Sequence, residues 1–405
     1  MKPDAKSQEE RRRPWIGKRL SALGCAAGAA IFVFGAAVGS SKAANAGHHY
    51  RPPFYRTGHL RHKPPSKRLH SKQPRSPMAF AGSAGAGSAA FLSFFSPTSV
   101  WNLPLADSAP LEPGSPTMVS GVSAEVAREE GLGIGPWVAP DAEIYVAGPH
   151  QTTVLVRLDD PTPSWRRALQ AAFRAVPVPP DAQPASDADA DMTVWQPSSD
   201  KLWEFFHMRR LSDGWHAAWG GAIKHVSQNP GYYDAAAWPG ASTSWGATAS
   251  SLPLAAGVVT LGDIKEGAIN HALAVDLPYP CQDIYSWPAQ RTDGTGTAAN
   301  CIPEGAHLRL DPRLNIPGLH LPAFVQMMAE AAQKYGIIVR NQTHWDIAFW
   351  IQDPAPTGDN PFYTNGAPNK HGPFQGMWPN QLLSYFPWSA LQVLKMNLHN
   401  MPGSG

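Results

Sequence analysis

The chain has 405 residues and a formal charge of only +2, but the charge is divided unevenly along it. Residues 1–77 hold 16 basic and 3 acidic side chains, whereas residues 78–405 hold 17 and 28. A globule of net charge −11 behind a basic tail excludes nucleic acid as the globule's partner, because the phosphate backbone would be repelled.

Residues 1–46 are expected to be an export signal. Arg11, Arg12 and Arg13 precede an apolar run from Leu20 to Gly39, and Ala44-Asn45-Ala46 offers a small-x-small cleavage site. Arg12-Arg13-Pro14-Trp15-Ile16, followed by Lys18, resembles a twin-arginine signal. Left uncleaved, the same run would be a membrane anchor, although its Ala and Gly content gives a weak driving force for insertion. Residues 47–90 are rich first in Pro, His, Lys and Arg and then in Gly, Ala and Ser, with no hydrophobic periodicity. They are expected to be a disordered linker whose basic part suits an anionic cell wall or membrane surface.

The folded part is expected over residues 91–400. A helix is predicted from about Thr117 to Glu130, strand character from Ile144 to Leu158, and a short helix from Trp165 capped by Ser164. Asp187, Asp189 and Asp191 alternate in a loop. Calcium is the metal such a spacing suggests, but the glycine and distal glutamate of an EF-hand loop are missing, so a solvated acidic loop is expected and no metal site is assigned.

The densest stretch runs from Met192 to Ile223. Its aromatic runs, broken by Pro197-Ser198-Ser199-Asp200 and Ser212-Asp213-Gly214, read as three successive strands joined by tight turns. Further strands are predicted over Gly257–Leu261, Ala268–Leu277, Ala306–Leu310, Ile337–Arg340 and Ile347–Ile351. A helix opens at Pro322 and stops before Gly336, and a last helix over Trp378–Met396 is broken at Pro387. Many short strands with three or four peripheral helices indicate a mainly β, sandwich or jelly-roll-like single large domain.

Chemistry is expected first at Glu204, a carboxyl among apolar neighbours whose pKa burial would raise, as a general acid requires. Its structural alternative is an ion pair with Arg291 or Arg309. His271 is a candidate base, and Asp293, in a polar turn at a strand end, a candidate second carboxylate. Fourteen tryptophans follow residue 100, more than a core of this size needs. Trp195, Trp219, Trp245 and Trp287, beside turn residues, are the candidates for stacking on a sugar ring. Cys281 and Cys301 are expected to form a disulfide outside the cytoplasm, worth about 3 kcal/mol. No Walker A, G-x-S-x-G, H-E-x-x-H or dinucleotide fingerprint occurs.

The segments Val194-Trp195-Gln196-Pro197, Leu202-Trp203-Glu204-Phe205, Asp213-Gly214-Trp215-His216, Trp245-Gly246-Ala247-Thr248, Ile269-Asn270-His271-Ala272-Leu273 and Tyr335-Gly336-Ile337-Ile338-Val339 resemble a broad set of exported bacterial β-rich proteins of unassigned function. The resemblance implies export and a role with envelope or extracellular glycans, and carries no catalytic residue across. The expectation is therefore a secreted or envelope-tethered protein acting on a polysaccharide. As a glycoside hydrolase it would use Glu204 and Asp293. As a lyase it would use His271 as base, with Arg291 or Arg309 neutralising a uronate. The alternative is a non-catalytic glycan-binding or structural envelope protein.

Overall fold

The computed structural model describes residues 94–159 and 166–401. The expected export signal, the basic linker and the Ser164 cap lie outside the described residues. Among the described residues, no helix is long and apolar enough to cross a membrane.

Helix α1 (Ser115–Leu132) carries a proline in its first turn and ends where Gly133, at φ 69°, returns its N–H to the Glu129 and Glu130 carbonyls. Its buried stripe is Val119, Val122 and Val126. Then follow β1 (Trp137–Ala142), β2 (Ile144–Val146), β3 (Val156–Leu158) and α2 (Arg166–Ala172). Strand β1 goes unforeseen in the sequence, where Pro140 and Asp141 mask it.

The Met192 stretch yields five strands: β4 (Met192–Gln196), β5 (Lys201–Phe206), β6 (Arg209–Leu211), β7 (Gly214–Ala217) and β8 (Trp219–Lys224). The reading as one three-stranded unit is corrected. Strands β4, β5 and β8 are antiparallel neighbours, but the Asp213-Gly214 turn belongs to a β6–β7 hairpin that leaves this sheet to pair with β3.

Where a strand is predicted over Gly257–Leu261, a single bridge from Val259 to Ile351 forms, and α3 (Leu261–Glu266) begins at a Thr260–Asp263 capping box. The remainder is β9 (Leu273–Leu277), β10 (Ile284–Ser286), β11 (His307–Leu310), α4 (Ala323–Lys334), β12 (Ile337–Gln342), β13 (Ala348–Gln352), the small hairpin β14 (Tyr363–Thr364) and β15 (Ala367–Pro368), α5 (Pro379–Leu383), β16 (Leu391–Val393) and β17 (Leu398–Asn400). The predicted last helix is short, because the chain after Pro387 becomes β16.

The fold is mainly β, with strands in several sheets and few helices. A four-stranded sheet has the order β2-β4-β5-β8, and a six-stranded mixed sheet the order β1-β13-β9-β12-β11-β16. The six-stranded sheet divides two cores, and period-2 alternation along its strands explains how. Leu273, Val275, Ile337 and Val339 face a core shared with α1 and α4. Ala274 and Ile338 point the other way, into a core shared with β4, β5 and β8.

Candidate functional site

Glu204, on β5, is fully buried. Its Oε2 accepts from the Tyr233 hydroxyl at 2.7 Å and its Oε1 from the Ala255 N–H at 2.9 Å. Gly221, its cross-strand partner on β8, leaves the space the Tyr233 ring fills. Burial raises the Glu204 pKa, and these hydrogen bonds pull it back. On the far side of the same loop, the Leu254 carbonyl accepts from Arg340 Nη1 at 2.9 Å. Arg340 pairs with Asp276 at 3.1 Å, and Asp276 also accepts from Trp350 Nε1 at 2.6 Å. Residues 254 and 255 are thus pinned between a carboxyl on the four-stranded sheet and a guanidinium on the six-stranded one. Neither Arg291 nor Arg309 is its partner. With both oxygens bound and no exposed surface, Glu204 ties the two sheets together, and nothing in this conformation lets it reach a substrate.

The proposed lyase residues are engaged in the same way. His271 presents Nδ1 to the Ala272 carbonyl at 2.9 Å and Nε2 to Asp263 Oδ2 at 3.3 Å. Burial works against its charge, but the Asp263 carboxylate outweighs burial and its pKa is raised. Acceptors at both nitrogens favour the imidazolium, the form with no lone pair left to take a proton. Arg291 spends all five N–H donors on carbonyls of Thr243, Trp245, Gly246, Thr248 and Ala249, at 2.7–3.2 Å. Burial lowers its pKa to about 10. Arg309 is buried against Gln392 and the Ala106 and Asp107 carbonyls. Neither arginine is placed to neutralise a uronate.

Of the four tryptophans, Trp195 and Trp245 are core residues. Trp219 is flanked by the guanidinium groups of Arg166 at 4.7 Å and Arg291 at 5.9 Å. Trp287 is 43% exposed and meets Tyr232 edge-on at 5.6 Å. It is the most exposed of the four candidates.

The structure brings Asp293 together with Glu304, a residue with no distinguishing local pattern. Glu304 lies just before β11, held by its carbonyl's bond to the Ser286 N–H. It is fully buried, and neither carboxyl oxygen receives a well-formed hydrogen bond. Its pKa is raised well above the usual range, first by burial, then by the facing Asp293 carboxyl, with the Thr292 hydroxyl working in the opposite direction. Asp293 itself is exposed. A buried acid with no well-formed hydrogen bond is rare and costly, and its place beside an exposed acid is the arrangement in which a proton can be held and handed outward.

Both acids belong to a segment stapled by the expected disulfide, Cys281–Cys301, with Cα atoms 5.1 Å apart. Asp293 lies inside the loop it closes. The return leg of that loop is laced to the start, Gly296 N–H to the Pro280 carbonyl and Gln282 N–H to the Gly296 carbonyl. Beside the loop and α1 opens a cavity of about 480 Å³. A second carboxyl cluster closes the C-terminal end of α1. Burial there raises Glu129 to about 8 and Asp346 to about 6.

The acidic loop at residues 187–191 is internally bonded, with Asp187 Oδ1 accepting from the Asp189 and Ala190 N–H groups. Among the described residues, no group of three or more His, Cys, Asp or Glu side chains is arranged to hold a metal ion. No protein-family model, curated protein or solved structure matches the chain.

Proposed function

We propose that this protein is exported and acts on a neutral polysaccharide or cell-wall glycan, as a hydrolase whose acid–base unit is Asp293 and Glu304. The observation that carries the reading is Glu304, buried with neither oxygen in a well-formed hydrogen bond and facing an exposed carboxyl. Asp293 is the catalytic residue, reaching the glycosidic oxygen. Glu304 is a positioning residue that holds a proton behind it. Close contact makes these two carboxyls one unit, and not the nucleophile and acid that a retaining glycosidase holds about 5 Å apart. The acidic globule favours neutral over uronate glycans. Export would follow from the twin-arginine segment, with the basic linker lying on an anionic wall or membrane surface, and the two large sheets around one core read as a sandwich. A second reading, glycan binding without turnover, is favoured by the exposure of Trp287.

Release of reducing ends from a panel of neutral and acidic glycans tests the proposal. Asp293→Asn is expected to lower turnover at least about 100-fold. Glu304→Gln is expected to lower it less and to shift its pH profile, which a merely structural role would not do. Absence of any cleavage, or an unchanged profile with full activity in both variants, rejects the hydrolase and leaves the binding reading.

A further inference from the structure

We propose that the cavity between α1 and the disulfide loop is a subsite for an N-acetylated hexosamine unit. This rests on the glycan reading above and specifies its substrate. The cavity's volume of about 480 Å³ admits one or two sugar rings. Its floor is apolar, from Met118, Val122, Leu277, Ile302 and Ile347. Tyr279 lines it too and is 58% exposed, offering its ring as a stacking face. Asn300 lines it beside Thr295 and Thr297, and no side-chain hydrogen bond holds its amide among the described residues.

An acetamido group matches these features together. Its methyl covers apolar lining and its C=O can accept from the Asn300 NH₂, while its N–H, trans to that carbonyl, points away from this side chain. A plain hexose lacks both the methyl for the apolar lining and the carbonyl that the Asn300 amide would donate to. The cavity also carries Glu125, whose carboxylate is already bound by Arg128 at 2.6 Å. Asn300 and Asp293 lie on the one disulfide-closed loop, which places the subsite in the same structural unit as the acid–base pair.

Gly121, on the α1 wall, supplies a sharp test. A methyl at Gly121 would lie 2.6 Å from Asn300 Nδ2, so Gly121→Ala must displace the amide. The same change improves helix propensity, so it should not unfold the protein. Calorimetric titration of the full chain is run with the N-acetylglucosamine trimer and the glucose trimer. The acetylated trimer is expected to bind at least tenfold tighter, and Asn300→Ala and Gly121→Ala are each expected to weaken it about tenfold with the melting temperature held or raised in the latter. Equal binding of the two trimers, or unchanged affinity in both variants, overturns the subsite. If some other glycan binds without regard to Asn300 and Gly121, the subsite alone falls. If no glycan binds, the glycan reading falls with it.

Discussion

Two of the buried glutamates in this domain, Glu204 and Glu304, sit under opposite circumstances. Glu204 lies in a regular strand between aromatic neighbours, and each of its oxygens has a donor. Glu304 lies in an irregular segment behind a disulfide, and neither of its oxygens has a well-formed hydrogen bond. Burial raises the pKa of both, so a raised pKa does not separate them. What separates them is satisfaction. Hydrogen bonds turn a buried carboxyl into a strut, whereas their lack beside a second, solvent-facing acid leaves it free to exchange a proton.

The contrast can be broken most directly at Glu204. Glu204→Ala leaves the Tyr233 hydroxyl and the Ala255 N–H buried without an acceptor and opens a cavity between the sheets. The expected loss is about 4 kcal/mol in denaturant unfolding. A loss below about 1 kcal/mol would mean that the two sheets do not depend on this strut.

Next comes the disulfide. Reduction, or Cys281→Ser with Cys301→Ser, is expected to cost about 3 kcal/mol by the loop-entropy argument. Amide exchange should rise over residues 281–304 before it rises over β4, β5 and β8. Uniform loosening of both regions would erase the distinction between them.

Glu304→Gln gives a smaller and signed effect. Because the folded-state pKa lies above the usual 4.5, the folded protein keeps a proton that the unfolded chain has lost. Stability is therefore fullest below pH 4.5 and falls as pH rises toward the folded pKa. The glutamine variant should flatten that decline in melting temperature against pH. The same sign holds for Glu129, whose window runs from 4.5 to about 8, and Glu129→Gln should flatten the profile there by a lesser amount. A wild-type profile level from pH 5 to 8 would contradict both.

Much of the frame was readable in the residues. The apolar stripe of α1, the proline that opens α4 and the alternation in β9 and β12 depend on local periodicity, which a sequence displays. The fate of the Met192 stretch was not readable. Whether Asp213-Gly214 continues a sheet or starts a new one depends on β3, more than 50 positions away in the chain. The site was less legible still. Aromatic company marked Glu204 correctly as buried, but burial alone says nothing about partners, and those partners, Tyr233 and Ala255, come from a loop with no pattern of its own. Asp293 stood out because turns at strand ends collect polar groups. Glu304, between Pro303 and Gly305, carried no such signal, since its meaning comes from a carboxyl that only folding brings to it.

Arg291 carries a consequence for how this protein can vary over time. It grips five successive or near-successive carbonyls, and carbonyls are common to all amino acids. Side chains from Thr243 to Ala249 are therefore not what the guanidinium recognises, and relatives should be free to exchange them wherever the core permits. Gly246 is the exception, because its φ of 107° and its contact with Ser251 and Tyr233 leave no space for a side chain. Lysine in place of Arg291 would hold at most three of the five carbonyls, so the arginine and that one glycine should be inherited as a pair.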